Sequence, residues 1–130
     1  MILDTGFIID VMRREENAVR RLRELISSGE TQAITTPSLF ELYSGVSRSR
    51  IPQKEKGRIM QTLSNLVVWS LDTKGAETGG EIDGRLSSKG ERLDPVDSMI
   101  AGIALSKGEA ILTRNVRHFS RIPGLRIETY

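Results

Sequence analysis

The amino-acid sequence predicts an α/β protein, a three-layer α/β/α sandwich with a central parallel sheet of four to five strands. Strand-like and helix-like segments alternate along the chain, which is typical of a parallel sheet covered by helices on both faces. The chain opens with the apolar run Met1-Ile-Leu, as expected for a buried strand. Its 130 residues show no repeat, low-complexity tract or linker, so we expect a single domain over residues 1–130.

The first three predicted elements are a strand and two helices. Residues 1–4 form the predicted strand, and residues 6–13 form a short helix. A second helix is predicted over about 15–28, with Gly29 as a natural residue to end it. Its apolar side chains recur at helical spacing. They are Val19, Leu22, Leu25 and Ile26.

The next predicted elements are a strand and two helices joined by a basic connection. β-branched residues in the segment 31–36 predict the strand. Pro37 suits the first turn of the helix that follows. An exposed basic connection over residues 47–53 leads to a further helix over about 54–65. The apolar stripe of the first of these helices consists of Leu39, Leu42, Tyr43 and Val46.

A third strand is predicted from Val67 to Leu71, and Asp72 or Thr73 can cap the helix that follows over about 73–88. This helix is rich in small residues, which lower helix stability, so we expect it to pack closely against a neighbour. The small residues are Gly75, Ala76, Gly79 and Gly80.

The last predicted elements begin at a clear helix start. Asp94 is a good N-cap and is followed by proline, which predicts a helix over 95–107. A fourth strand is predicted over 110–113, followed by a loop or single helical turn over 114–119. A short edge strand is predicted over 125–127.

The composition excludes several kinds of site. The chain has no cysteine, which excludes disulfides and thiolate metal sites and agrees with a reducing cytoplasm. No segment matches a phosphate-binding loop or a dinucleotide fingerprint, and the only histidine, His118, gives little support for nucleophilic catalysis. The net charge of +2 permits a nucleic-acid partner. Without a bilayer-spanning run or a signal-peptide pattern, we expect a cytoplasmic protein with no membrane partner.

Four oxygen-bearing side chains are predicted at one edge of the sheet. Asp4 follows the first strand, Glu41 lies in the helix after the second strand, Asp97 begins a helix, and Asn115 follows the fourth strand. The carboxyl ends of parallel strands form the edge at which α/β proteins bind ligands. Hard cations such as Mg²⁺ and Mn²⁺ prefer oxygen ligands and keep several waters.

Two of these acids also have a purely structural interpretation. Asp97 heads the apolar face of its helix, where an unpaired carboxylate is costly, but it also occupies the capping-box position after Asp94. Glu41 lies opposite the apolar stripe of its helix, so the pattern alone predicts an exposed glutamate. Only its place after the second strand favours a role beside Asp4.

Four segments carry a family resemblance. They are Met1-Ile-Leu-Asp4-Thr5-Gly-Phe-Ile-Ile, Thr36-Pro-Ser-Leu-Phe-Glu41-Leu-Tyr-Ser-Gly45, Asp94-Pro-Val-Asp97-Ser-Met-Ile-Ala-Gly-Ile-Ala-Leu105 and Leu112-Thr-Arg-Asn115-Val-Arg-His-Phe119. Over essentially its whole length the chain resembles a PIN domain and, among PIN domains, the VapC-type toxins of type II toxin–antitoxin systems. The two later segments are the most specific part.

The resemblance implies a PIN-like sandwich with the first strand at the centre of its sheet. The implied catalytic set is Asp4, Glu41, Asp97 and Asn115. The three acids match positions that bind Mg²⁺ or Mn²⁺, whereas Asn115 stands where the family often has aspartate and leaves the set one charge short. Thr5 and Thr113 match hydroxyl positions beside the acids and are expected to support them.

The implied activity is metal-dependent endoribonuclease action on RNA phosphodiester bonds, as the toxin of a toxin–antitoxin pair. Arg114 and Arg117 are candidates for holding phosphates of the substrate. The implied partners are a small VapB-like antitoxin and a second copy of the chain, in a homodimer or a higher assembly, with segment 39–66 as a candidate contact. Basic residues that could extend a phosphate track are Arg13, Arg14, Arg48, Arg50, Lys54 and Lys56.

Two other functions stay open on the sequence alone. The first is a PIN-like module that binds RNA or a protein without cutting, which the neutral Asn115 and the orientation expected for Glu41 would both permit. The second is a metal-dependent phosphatase or nuclease with a flavodoxin-like sheet, acting on another phosphate ester or on DNA.

Overall fold

A computed structural model describes residues 1–130 and contains one parallel sheet of five strands. The strands are β1 (Ile2–Leu3), β2 (Ala33–Thr35), β3 (Val67–Trp69), β4 (Ile111–Leu112) and β5 (Ile127–Glu128). Their order across the sheet is β3-β2-β1-β4-β5, so the first strand is central. Every pairing is parallel, with Ile2 beside both Ala33 and Ile111. This order differs from the 2-1-3-4-5 order of flavodoxin-like sheets, so the flavodoxin-like alternative is wrong.

Seven helices cover the two faces of the sheet. They are α1 (Thr5–Met12), α2 (Glu16–Ser28), α3 (Thr36–Ser47), α4 (Pro52–Leu63), α5 (Thr73–Ser88), α6 (Pro95–Lys107) and α7 (Val116–Phe119). The side chain of Ile2 packs in a core with residues of α5 and α6, whereas that of Leu3 packs in a second core with residues of α1 to α4. Successive residues of a strand point to opposite faces. The predicted three-layer α/β/α architecture is confirmed.

Local capping explains several of the helix boundaries. Asp72 accepts a hydrogen bond from the backbone N–H of Gly75, which starts α5, and Asp94 accepts one from Val96, which starts α6. Gly29 ends α2 with a φ of 72°, a conformation that glycine adopts without a steric penalty. None of the seven helices is long and apolar enough to span a membrane.

The boundaries of some other elements differ from those predicted. The strands are shorter than predicted; β1 ends at Leu3 because Asp4 caps α1, which begins at Thr5. Likewise α4 starts at Pro52 rather than residue 54, because proline suits the first turn of a helix. The last strand lies at Ile127–Glu128, later than the predicted 125–127.

Two predicted apolar stripes were partly wrong. Ile26 is 62% exposed, because α2 packs on the core through Ala18, Leu22 and Leu25, which are spaced by four and three residues. Tyr43 is 39% exposed, one position beyond the buried Leu42 of α3. Both aromatic and aliphatic side chains at the margin of a helix face can therefore lie in solvent.

The contact between α5 and α6 is too close for a side chain at Gly79 or Gly102 and leaves little room for one at Gly75. A Cβ atom on Gly102 would lie 2.3 Å from the carbonyl oxygen of Gly75, and one on Gly79 would lie 2.8 Å from that of Ser98. The predicted close packing of α5 is thus confirmed at Gly75 and Gly79 but not at Gly80, whose surroundings are open. This contact fixes α6 against α5 and so helps to place the residues in the first turn of α6.

Candidate metal centre and active site

Asp4 lies at the carboxyl end of the central strand and is held by two donors. Its Oδ1 accepts a hydrogen bond from the Thr5 backbone N–H at 2.9 Å, and its Oδ2 accepts one from the Thr113 hydroxyl at 2.7 Å. The side chain is buried, and burial raises the pKa of the Asp4 carboxyl, while these two donors and the nearby Arg114 oppose the rise. The Thr113 hydroxyl therefore lies beside Asp4, at the position predicted for it.

Glu41 is half-buried near Asp4 rather than fully exposed, contrary to the pattern of its helix. The Thr5 hydroxyl donates a hydrogen bond of 2.7 Å to Glu41 Oε1, which ties α3 to the start of α1. Burial raises the pKa of the Glu41 carboxyl, and repulsion from Asp4 and Asp94 adds to the rise. The exposed orientation was therefore wrong, because α3 buries one face in the core and a second against α1.

Asp97 completes a group of three acids from three separate elements. Burial raises the pKa of its carboxyl to about 6, and repulsion from Asp4 and Glu41 contributes. The imidazole of His118, whose Nδ1 lies 3.6 Å from Asp97 Oδ2, opposes this rise in the pKa of Asp97. Asp94 alone caps α6, and Asp97 accepts no backbone hydrogen bond there, so the capping-box interpretation of Asp97 is wrong.

Asn115 and His118 form a contact that the sequence did not indicate. Asn115 Nδ2 lies 2.7 Å from His118 Nδ1. The Asn115 backbone N–H donates to the Thr113 hydroxyl at 2.9 Å. Thr113 thus links the turn after β4 to Asp4, and Asn115 holds the histidine beside Asp97.

These side chains line one open pocket of about 380 Å³ that has no hydrophobic residue in its lining. The lining consists of Asp4, Thr5, Gly6, Glu41, Asp94, Asp97, Arg114 and Asn115. Four predicted oxygen-bearing residues are therefore brought together, with Asp94 as a further carboxylate. Arg114 reaches the pocket, whereas Arg117 is exposed on α7 and does not line it. Four carboxylates face one arginine, so the pocket is strongly acidic.

The donor set fits a hard divalent cation that keeps much of its water. All the ligand atoms offered by the pocket are carboxylate, amide and hydroxyl oxygens, which Mg²⁺ and Mn²⁺ prefer. Burial is the main cause of the raised pKa values of Asp4, Glu41 and Asp97, and repulsion between the acids adds to it at Glu41 and Asp97. A bound cation would favour the charged form of all three. No three acidic or histidine side chains converge closely enough to cage an ion directly. The residues thus fit Mg²⁺ bound through few direct ligands.

A second groove adjoins the acidic pocket and shares Glu41 with it. This groove, also about 380 Å³, lies between α1, α3 and α4 and includes Arg13 and Arg58 beside apolar side chains such as Leu42 and Ile59. Most of its lining residues lie between Glu41 and Ile59, within the predicted contact segment 39–66. All six residues of the predicted basic track are exposed, and only Arg13 among them also lines this groove.

One acid near the pocket was missed by the sequence reasoning. Asp10 is buried in α1, and its carboxylate contacts Arg114. The available signal was a lone acid within the otherwise apolar helical run from Phe7 to Met12. Asp94 was recognised only as a helix cap, although the structure also places it in the lining of the pocket.

Comparison with known proteins gives a consistent result along the whole chain. The family model described as PIN domain matches residues 1–125. The chain is 35% identical over 129 residues to the tRNA(fMet)-specific endonuclease VapC of Salmonella typhimurium, covering 99% of this chain and 96% of that protein. It is also 35% identical over 126 residues to Ribonuclease VapC19 of Mycobacterium tuberculosis, covering 96% of each chain.

A solved structure gives the same result for the fold. The crystal structure of VapBC2 from Rickettsia felis, bound to a DNA fragment from its promoter, contains a chain that superposes with a TM-score of 0.91. The two chains are 27% identical, and the match covers 99% of this chain and 97% of the other. The family predicted from the four sequence segments is confirmed: the chain belongs to the PIN domain family and is similar throughout to its VapC ribonucleases.

Proposed function

We propose that this protein is a metal-dependent endoribonuclease that acts as the toxin of a type II toxin–antitoxin pair. The observation that carries the proposal is the convergence of Asp4, Glu41 and Asp97, each with a raised pKa, on one pocket without hydrophobic lining. Perturbed acids in a polar cleft are typical of catalytic sites. The names of the relatives, a tRNA(fMet)-specific endonuclease and a ribonuclease, support RNA as the substrate.

In this proposal Asp4, Glu41 and Asp97 hold Mg²⁺ or Mn²⁺, in part through the waters that such an ion keeps, and the neutral Asn115 adds a weaker oxygen. When bound, such an ion lowers the pKa of water and neutralises negative charge on a phosphodiester. This chemistry needs no side-chain nucleophile, in agreement with the absence of cysteine. The acids themselves exclude other anions from the pocket until a cation offsets their charge.

The surrounding side chains keep the acids in place. The Thr5 backbone N–H and the Thr113 hydroxyl each donate to one oxygen of Asp4, and the Thr5 hydroxyl donates to one oxygen of Glu41. Glu41 thus keeps its second oxygen for a cation, and each Asp4 oxygen keeps a further lone pair. Arg114 is the one basic residue of the pocket lining, which supports a role for it in holding a phosphate of the RNA backbone. Arg117, on exposed α7, would contact the RNA only further from the reacting bond.

The proposed partners are a small antitoxin and a second copy of the chain. A structural relative is the VapBC2 complex of Rickettsia felis, which supports an antitoxin partner. The groove between α1, α3 and α4 reaches Glu41, so a peptide lying in it would end at the acidic pocket. A basic side chain of that peptide would be attracted to the acids. The proposal places the protein in the cytoplasm, where its RNA substrate is found.

A catalytically weak binding module is the second candidate. It is favoured by the neutral Asn115 and by the lack of three acids that cage an ion directly. The orientation of Glu41 toward Asp4 removes the other argument for it, because all three acids of the set line the pocket.

RNA cleavage by the purified protein separates the two candidates. We expect cleavage of single-stranded RNA with Mg²⁺ or Mn²⁺, none after chelation, and a loss of at least about 100-fold for Asp97→Asn. Glu81→Gln, which removes an exposed acid on α5, is the matched control and should cleave normally. Binding of RNA without cleavage in any of these metals would favour the binding module.

A further inference from the structure

Asp10 is a buried acid whose place in the fold is not explained by the metal site. It lies in α1, its side chain is 2% exposed, and it does not line the acidic pocket. Its inward-facing neighbours on the helix, Phe7 and Ile8, are apolar and fully packed. Burying a carboxylate among such residues is unfavourable unless it is paired, and a hydrophobic residue is often at least as stabilising. Stability alone therefore does not explain an acid at position 10, and the explanation lies in the groups that Asp10 contacts.

The Asp10 carboxylate has two partners that meet on the same oxygen. Arg114 Nη1 lies 2.7 Å from Asp10 Oδ2, and the Tyr130 hydroxyl donates to this oxygen, also at 2.7 Å. The ring of Tyr130 packs edge-on against Phe7, with 4.7 Å between the ring centroids. Burial and the Asp10 carboxylate raise the pKa of Tyr130, so its hydroxyl stays a donor. Asp10 is thus held rigidly.

Arg114 is fixed at both ends while most of its side chain stays open to solvent. Its backbone lies between Thr113, which donates to Asp4, and Asn115, whose N–H donates to Thr113. Its guanidinium is held by Asp10, yet 61% of the side chain is exposed. A guanidinium carries five N–H donors, so most remain for another anion. The pocket that Arg114 lines holds the acids of the proposed metal site.

We propose that Asp10 is a positioning residue, which aims the Arg114 guanidinium at the mouth of the acidic pocket so that it binds a phosphate of the RNA. This inference rests on the proposed function and adds the substrate-binding arrangement to it. Without Asp10, Arg114 would be free to fold onto Asp4, which already attracts it. The buried carboxylate competes for the guanidinium and keeps it at the pocket edge. Preorganised donors of this kind improve binding because less side-chain freedom is lost.

The test uses a double-mutant cycle between Asp10→Asn and Arg114→Ala. The amide of Asp10→Asn keeps the shape and can still accept from Tyr130, but it loses the charge that holds Arg114. We expect KM for RNA cleavage to rise about tenfold and kcat to change less than about twofold. In the Arg114→Ala background, Asp10→Asn should have no further effect on KM, because the residue acts through Arg114.

Two further variants keep the inference testable if Asp10→Asn folds poorly. Tyr130→Phe removes the second partner of Asp10 and should raise KM by about threefold. In the Arg114→Ala background the same substitution should leave KM unchanged. Glu128→Gln removes a carboxylate that pairs with Arg21, away from the pocket, and should leave KM unchanged. A lower melting temperature with an unchanged KM, or an equal rise in KM with and without Arg114, would overturn the positioning role.

A binding measurement keeps this inference separate from the proposed activity. The Kd of a fluorescently labelled single-stranded RNA is measured by anisotropy in the Asp97→Asn background, where no cleavage is expected. Asp10→Asn should weaken this binding about tenfold as well. If the wild-type protein failed to cleave RNA but showed this loss, only the proposed activity would be refuted. Unchanged RNA affinity would refute the positioning role even if cleavage were observed.

Discussion

The acidic pocket and the contact between α5 and α6 both bring distant parts of the chain into close approach, but for opposite physical reasons. At the helix contact, glycines remove side-chain atoms so that the backbones of Gly75 and Gly102 can touch. In the pocket, Asp4, Glu41 and Asp97 remain together although they repel one another. The contact between α5 and α6 stabilises the fold. The acidic pocket lowers the stability of the metal-free protein, and the cation that we propose for it explains why the acids lie together.

The largest effect on stability is expected at the helix contact. Gly102→Ala places a Cβ atom 2.3 Å from the Gly75 carbonyl oxygen and 2.6 Å from the Gly79 nitrogen, which requires the helices to separate. We expect the free energy of unfolding to fall by about 3 kcal/mol, measured by urea denaturation. Gly80→Ala is the matched control, because nothing lies near its Cβ position. It should stabilise α5 by about 0.5–1 kcal/mol. Equal effects of the two substitutions would contradict the close-contact account.

A smaller loss is expected where the fold supports the acidic pocket. Thr113→Val keeps the volume but removes the hydroxyl that donates to Asp4 and accepts from the Asn115 N–H. We expect a loss of about 2 kcal/mol in the free energy of unfolding, because a buried carboxylate loses a donor. Thr62→Val removes an exposed hydroxyl on α4 and should change the stability by less than about 0.5 kcal/mol. Similar values for both variants would mean that Thr113 does not support Asp4.

The smallest effect has the opposite sign and is expected from an acid of the pocket itself. Asp97→Asn removes one of the mutually repelling charges, so the metal-free protein should become more stable at pH 7, by about 1 kcal/mol after allowance for solvent screening. Thermal unfolding with chelator present measures this difference. A destabilised Asp97→Asn protein would show that Asp97 is held by attractive contacts and not against repulsion.

The same charges predict how stability depends on pH. The Asp97 carboxyl has a pKa of about 6 in the folded protein against an ordinary value of 3.8. Between these values the folded state binds more protons than the unfolded state, so the contribution of Asp97 to stability falls as pH rises from 4 to 6. The raised pKa values of Asp4 and Glu41 act in the same direction. Unfolding of the metal-free Asp97→Asn variant should therefore depend less on pH over this interval than unfolding of the wild-type protein.

The sequence predicts elements well where their ends carry local signals. The helices α5 (Thr73–Ser88) and α6 (Pro95–Lys107) have the predicted boundaries, because Asp72 and Asp94 cap them through bonds to residues two or three positions away. Exposure at the edge of a helix face depends on what packs there, and no local pattern contains that information. For this reason Ile26 was predicted in the core and lies in solvent.

Most of the side chains that line the acidic pocket were predicted to share one edge of the sheet, but their contacts were not predicted. Asp4, Asp97 and Asn115 each lie where a strand ends or a helix begins, and the parallel sheet brings such positions to one edge. The orientation of Glu41 depends on Thr5, and the role of Asp10 depends on Arg114 and Tyr130. These partners come from distant parts of the chain, so only the folded structure reveals them.

The most direct test of the account is calorimetric titration of the purified, metal-free protein with Mn²⁺ at pH 7. We expect binding to the wild-type protein and to Glu81→Gln with equal Kd, and binding at least about tenfold weaker to Asp97→Asn, because that variant loses a charged ligand. Bound Mn²⁺ should also raise the melting temperature of the wild-type protein, since the ion binds the folded state only. Equal Mn²⁺ affinity of the wild-type and Asp97→Asn proteins would contradict the claim that the repelling acids of this pocket are arranged to bind a cation.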